Sequence, residues 1–303
     1  MRIGYPCINT SIGCTSSRTF RLKSYSPKRL EETVKINLAC LERVLRFNQK
    51  HQILFFRITS DLVPFASHPI CKYDWQGSFE TRFKTLGNFI RNCGMRISMH
   101  PDQFTLINSL DKKVFENSAR ELGYHAQVLD LLALDASAKI QIHAGGIYGD
   151  KETSMRRFVK RFDMLDERVK RRLVLENDDS RYNLKECLKI SVEVGIPLLF
   201  DVLHHEVNNS GENIREAFEL FVPTWKYDDG LPMVDYSSPM IDDRKGKHAG
   251  TLDLKIFREL LEETKPFDFD IMLEIKDKEM SALKAIEIAS QDDRFSVAEK
   301  HTS

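Results

Sequence analysis

Eight side chains of metal-ligand type share one placement in this sequence. His100, His143, Glu176, Asp201, His204, Asp235, His248 and Glu274 each end a short run rich in Ile, Val, Leu, Phe or Met, or follow such a run within a loop. Imidazole and carboxylate together form a donor set for Zn²⁺, Mn²⁺ or Fe²⁺, in which neutral ring nitrogens and anionic oxygens surround the ion. A single histidine at a strand end is more often a hydrogen-bonded structural residue. Eight such groups at successive strand ends are another matter, because burying that much charge is strongly disfavoured unless a cation offsets it. The expectation is a cluster of two to three divalent ions per chain, with carboxylates bridging them as in two-metal phosphoryl-transfer sites.

For residues so distant in sequence to converge, the fold must bring the ends of many strands to one mouth. Short apolar runs at residues 2–5, 53–59, 95–99, 139–142, 173–175, 197–200, 232–234 and 271–273 alternate with longer stretches of helical periodicity, the pattern of βα units on a parallel sheet. Pro27 precedes a stripe of Leu30, Val34, Leu38, Leu41 and Leu45, and Gly94 and Gly195 stand where helices hand over to strands. An open doubly wound sheet would call for a switch point and a glycine-rich phosphate loop, and neither GxGxxG nor GxxxxGK[ST] occurs. The reading is therefore one (β/α)8 TIM barrel over residues 1–290 with its metal cluster at the C-terminal face of the strands, and the 303-residue length suits it. Residues 291–303 lack periodicity and are expected to fray as a C-terminal tail.

Composition narrows the remaining possibilities. Lys and Arg total 45 against 45 Asp and Glu, so no global cationic field advertises nucleic acid, and any DNA affinity has to come from local patches. Two such patches follow strand ends: Arg18, Arg21, Lys23, Lys28 and Arg29 after the first strand, and Arg244, Lys245 and Lys247 after the seventh. Both are expected to rim the mouth and meet phosphates. The six cysteines form no CxxC pair, which argues against a zinc ribbon or a disulfide framework and predicts reduced thiols. The start MRIGYPC has no apolar signal core and no run of about 18 apolar residues follows, so a cytoplasmic, nucleoid-associated chain with no membrane and no protein partner is expected.

Nine segments, in order, resemble the ultraviolet damage endonucleases: GYPCIN, TSDLVPFASHP, RISMHPDQF, IHAGG, LEND, FDVLHH, DYSSP, KGKHAG and MLEIKDKE. The likeness runs to about residue 290. It implies a barrel related to endonuclease IV that holds up to three divalent ions and cuts the phosphodiester immediately 5′ of a lesion in double-stranded DNA. His100, His143, Glu176, Asp201, His204, His248 and Glu274 match the family's metal-binding positions, His68 a histidine near the metals, and Lys276 a lysine near the scissile phosphate. Gln103 and Phe104 match its probing pair, and a wedge is what an enzyme needs to fill the gap left by extruded bases. Tyr5 and Asn9 match residues lining the lesion pocket. The sequence departs from the pattern in Phe104, usually Tyr, and in strand seven, where Met233 and Asp235 replace a Lys-x-His motif. Asp235 as an oxygen ligand would favour Mn²⁺ over Zn²⁺, with Mg²⁺ a further candidate.

The implied reaction is hydrolysis by water activated between the ions, with Glu176 bridging them, Glu274 supporting the water and His68 and Lys276 assisting. Its substrates would be pyrimidine dimers, 6-4 photoproducts and abasic sites, and its products a 3′-hydroxyl and a 5′-phosphate. Two other readings use the same barrel: a metal-dependent sugar isomerase or epimerase, and a damage-binding protein without catalysis.

Overall fold

The computed structural model describes residues 1–239 and 246–297. Eight strands, β1 (Ile3–Pro6), β2 (Phe55–Ile58), β3 (Arg96–Met99), β4 (Lys139–His143), β5 (Leu173–Glu176), β6 (Leu198–Asp201), β7 (Met233–Tyr236) and β8 (Asp270–Leu273), pair in parallel and in chain order into a closed barrel. Each lies on its expected run. Around them stand α1 (Pro27–Lys50), α2 (Trp75–Asn92), α3 (Lys112–Leu131), α4 (Lys151–Phe162), α5 (Glu167–Lys170), α6 (Leu184–Val194), α7 (Val202–Val207), α8 (Ile214–Phe221), α9 (Leu254–Glu263) and α10 (Glu279–Ala289).

Local chemistry sets the helix ends. Ser26 caps α1 by accepting from the Arg29 N–H, with Pro27 in the first turn where its missing N–H costs nothing. Asn183 and Glu186 form a reciprocal capping box on α6, and Gly195 ends that helix in the left-handed region at φ 73°. Gly4 answers a different need, since a Cβ there would lie 2.0 Å from the Phe55 carbonyl oxygen across the β1–β2 pair.

Strand alternation divides the interior into two parts. The shell between strands and helices holds residues such as Ile3, Phe56, Ile97, Ile140, Leu175 and Phe200, while Phe55, Val174, Leu199, Met233 and Met272 form a separate apolar plug inside the barrel. Below that plug the lumen is closed by ion pairs: Arg96 with Asp270, and Lys139 with Asp229. Above it, two residues further along each strand and therefore on the same face, stand Arg57, Glu176, Asp201, Asp235 and Glu274. The plug thus floors a charged mouth.

One expectation is corrected. Cys14 and Cys40 form a disulfide, leaving Cys7, Cys71, Cys93 and Cys187 free, so the thiols are not all reduced. The pair joins the loop after β1 to α1 across 26 residues, a juxtaposition created by tertiary packing. At the C-terminal end Arg294 bonds the carbonyls of Leu261 and Phe267, and the Ser296 N–H donates to the Met1 carbonyl at 2.8 Å. Residues 298–303 lie outside the described part, as do Arg244 and Lys245. Met233 belongs to the plug, two residues below Asp235 on the lumen face.

Candidate active site

Glu176, at the end of β5, is the hub. Its Oε2 lies 3.6 Å from Nε2 of both His100 and His143, and its Oε1 lies 3.3 Å from Nδ1 of His204. Strand ends supply the first two histidines directly. His204 arrives by a different route: Asp201 ends β6 and caps α7, accepting the His204 N–H at 2.7 Å, so the DVLH spacing turns both side chains into the mouth within one helical turn. The loop after β4 is fixed by Asn108, whose side-chain amide accepts from the Gly146 N–H and donates to the Gly146 carbonyl. Gly145 holds φ 100° there, and a Cβ would collide with Asn108 Oδ1 at 2.3 Å.

On the far side, Glu274 ends β8 and lies 3.6 Å from His248 Nδ1, whose ring is oriented by the Glu274 carbonyl at 2.6 Å. The returning loop that carries His248 is pinned by Ser237, which accepts the Ala249 N–H, and by the Lys276 N–H, which donates to the Ala249 carbonyl. Three overlapping donor groups result: His100, His143 and Glu176; Glu176, Asp201 and His204; and Asp201, Asp235 and Glu274, with ligand atoms in each within 4.8 Å of one another.

The electrostatics favour a cation at this cluster. Burial by itself would raise Glu176, but His143, His204 and His100 outweigh it and hold the carboxyl well below the usual carboxylate range. Burial is the main reason that His100 is depressed to about 4, leaving a neutral imidazole suited to ligation. Asp201 is pushed up to about 7 by burial and by the charges of Glu176 and Glu274, despite His204. Burial opposes charge on His204, yet Asp201 and Glu176 raise it to about 11, so a proton competes with a metal ion for its ring nitrogen. His100 and His143 each also leave a buried Nδ1 without a hydrogen-bond partner among the described residues. Mixed imidazole and carboxylate donors, with excess negative charge gathered in a buried space, fit divalent ions of the Mn²⁺ or Zn²⁺ kind.

One functional residue escaped the sequence reading. Arg57, almost wholly buried, donates from Nη2 to both Asp235 oxygens at 2.8 and 2.7 Å and to Gln141 Oε1 at 2.6 Å, and from Nη1 to Glu274. Burial disfavours the guanidinium's charge, but Asp235 and Glu274 more than restore it. Glu274 in turn, raised by burial, is brought down to about 2 chiefly by Arg57. The signal was an arginine inside the apolar run LFFRI, which has to be paired if that run is a buried strand. Gln141, two residues before His143 on the same lumen face, carried a similar signal.

The other expected residues divide. Lys276, Gln103 and Phe104 line a cavity of about 640 Å³ together with His100, His143 and Glu274. Phe104 is 71% exposed, an uncommon state for a phenylalanine, and its N–H is held by Asp102 Oδ1 at 2.8 Å. Tyr5 and Asn9 are not at the mouth surface: both are buried, the Tyr5 hydroxyl donating to Asn48 and accepting from Asn9, while Asn9 Oδ1 caps the turn at Ser11 and Ile12. His68 is in none of the three donor groups; it is exposed on the loop after β2 with Nδ1 accepting the Ile70 N–H at 3.1 Å, and lines a neighbouring cavity with Asp102, Phe104 and residues of α3. Arg18, Arg21, Lys23, Lys28, Arg29 and Lys247 are exposed. No helix among the described residues is long and apolar enough to cross a membrane.

By fold, the chain is a TIM barrel. Endonuclease IV from Thermus thermophilus superposes with a TM-score of 0.60 at 12% identity, covering 96% of this chain and 98% of that one. D-psicose 3-epimerase from Clostridium cellulolyticum H10 superposes at 0.54 and 12% identity over 83% of this chain and 91% of its own, so likeness at this level speaks for the fold alone. Sequence carries the assignment further. The model of the UV-endonuclease UvdE family matches residues 1–299, and the chain belongs to that family. The UV DNA damage endonuclease of Clostridium perfringens is 39% identical over 288 residues, 94% of this chain and 70% of that protein. That of Bacillus cereus strain Q1 is 33% identical over 296 residues, 94% of this chain and 93% of its own. The crystal structure of SacUVDE superposes with a TM-score of 0.93 at 42% identity over 97% of this chain and 100% of that one.

Proposed function

We propose that this protein is a metal-dependent repair endonuclease that nicks duplex DNA immediately 5′ of pyrimidine dimers, 6-4 photoproducts and abasic sites, leaving a 3′-hydroxyl and a 5′-phosphate. The observation that carries the reading is Glu176, buried and facing three imidazoles at 3.3 to 3.6 Å, in a chain of this family. His100, His143, Glu176, Asp201 and His204 would hold the divalent ions, which would supply Lewis acidity that lowers the pKa of water and offsets charge on the phosphate. Mn²⁺ suits a donor set that joins imidazole nitrogens to carboxylate oxygens.

The chain's own groups do the rest. Glu274, kept ionised by Arg57, orients the attacking water through its second oxygen. Lys276, on the same cavity wall, places positive charge beside the phosphate. Gln103 and Phe104 stand at the rim, where an exposed ring can stack in the gap left by displaced bases. Arg18, Arg21, Lys23, Lys28, Arg29 and Lys247 hold the flanking backbone. The protein acts on nucleoid DNA inside the cell.

The test is nicking of ultraviolet-irradiated and undamaged supercoiled plasmid with Mn²⁺, with and without chelator. Cleavage of the irradiated plasmid alone, abolished by chelator, is the expected result. Binding without cleavage would make this a damage-recognition protein, and turnover of ketose sugars in place of DNA would make it an epimerase.

A further inference from the structure

We infer that Arg57 is a built-in cation that takes one cation position of the cluster, so that this chain holds two divalent ions and its third donor group, Asp201, Asp235 and Glu274, holds none. The inference rests on the metal reading above and concerns how the negative charge is neutralised.

Four carboxylates, Glu176, Asp201, Asp235 and Glu274, meet at the mouth, and the third donor group has the compactness that an ion would require. Two of its three members are nonetheless committed to the guanidinium. Nη2 donates to both oxygens of Asp235, and Nη1 donates to Glu274. Gln141 completes the commitment: its Oε1 accepts from Arg57, and its Nε2 donates to Asp235 Oδ2 at 2.7 Å and Glu176 Oε2 at 2.6 Å. A carboxylate has about four lone-pair sites, and three at Asp235 are used in this way. Among the described residues nothing further down the same face completes a third ligand set, since Met233 is packed among Phe55, Val174, Leu199 and Met272.

The other two donor groups look different. Each contains at least one imidazole, neither contains a carboxylate paired with Arg57, and they share Glu176, which can bridge two ions. Two divalent ions and one guanidinium offset the four carboxylates with one positive charge to spare for the phosphate, whereas a third ion would be placed against a fixed guanidinium in a buried space. A planar guanidinium that spans Asp235 and Glu274 is always charged and cannot be chelated away, so it also holds the two carboxylates in place before any ion arrives.

The experiment is elemental analysis of Mn²⁺-loaded, desalted protein for the wild type, Asp235→Asn and Arg57→Met, with thermal unfolding of each before and after loading. Expected are two ions per chain in the wild type and two in Asp235→Asn, which keeps the shape and loses the charge. Arg57→Met frees Asp235 and Glu274, and is expected to gain an ion and show a larger Mn²⁺-induced rise in unfolding temperature than the wild type. Three ions in the wild type, or one fewer in Asp235→Asn, would overturn the inference and leave the metal reading standing. No bound ion in the wild type would overturn both. If Arg57→Met fails to fold, the Asp235→Asn count decides.

Discussion

Asn177 and Asp201 exchange two buried hydrogen bonds, the Asn177 amide donating to the Asp201 carbonyl at 3.0 Å and the Asp201 N–H donating to Asn177 Oδ1 at 2.9 Å. The exchange ties the residue after β5 to the last residue of β6, and the Asn177 carbonyl lies 3.0 Å from His204 Nδ1. One asparagine therefore sets the spacing of Glu176, Asp201 and His204 without being a ligand. Asn177→Ala is expected to weaken Mn²⁺ binding about 10- to 100-fold, the usual consequence of losing support behind metal ligands. It should cost about 1–3 kcal/mol of stability through the unpaired groups left behind. Calorimetric titration of ion-stripped protein measures the first effect and denaturant unfolding the second. Unaltered Mn²⁺ affinity in a destabilised variant would reduce Asn177 to a structural clip.

Glu176→Gln keeps the volume of the hub and removes its charge. Nicking of irradiated plasmid is expected to fall below detection, and the unfolding midpoint of ion-free protein near neutrality is expected to fall, since the carboxylate charge that His143, His204 and His100 stabilise has been removed. Near-normal cleavage by this variant would move the catalytic centre away from β5.

The barrel was legible because parallel strands covered on both faces read as short apolar runs, and β1 to β8 each fall on one. The cluster of imidazoles and carboxylates at the mouth was legible because polar residues ended those runs. Arg57 and Gln141 were not, since attention to strand ends passes over polar residues inside a strand, although the two-residue alternation from Gln141 to His143 places both on the lumen face. Tyr5 and Asn9 carried a motif but not its orientation: the hydroxyl found Asn48 on α1, 43 residues away. The Cys14–Cys40 pair had no sequence signature for the same reason, depending on where the loop after β1 packs. His68 shared a motif with a metal-proximal position, and it lines the neighbouring cavity with Asp102, Phe104 and residues of α3.

Gln103 and Phe104 project from a loop whose turn is fixed by Asp102, so replacing both with Ala should change little inside the barrel. Base stacking on an aromatic ring contributes about 1–3 kcal/mol per base, and the double variant is expected to lose about that much affinity for lesion-bearing duplex, with undamaged duplex affected less. Fluorescence anisotropy on both duplexes, at one salt concentration, reads the ratio. An unaltered preference for the lesion would place the wedge elsewhere.

Glu279 opens α10 and is fully buried, accepting from the Thr10 N–H at 2.9 Å, from the Thr10 hydroxyl and from the Ser11 hydroxyl at 2.6 Å. These bonds hold the loop after β1, from which the basic patch departs, against the last helix. Burial pushes the Glu279 carboxyl up, but the hydroxyl and N–H donors outweigh it, and the folded-state value lies below the ordinary 4.5. A depressed folded value means that the carboxylate contributes stability above the unfolded value, and that this contribution is lost as pH falls through the folded one. Glu279→Gln is therefore expected to cost about 1.5–3 kcal/mol near neutrality, the range for hydrogen bonds to a charged acceptor. Its deficit relative to the wild type should shrink as pH drops from about 6 to about 3. Urea unfolding of both proteins across that range measures the difference. A deficit that stays constant with pH would mean that Glu279 acts by shape and neutral hydrogen bonding, with its charge contributing nothing to the fold.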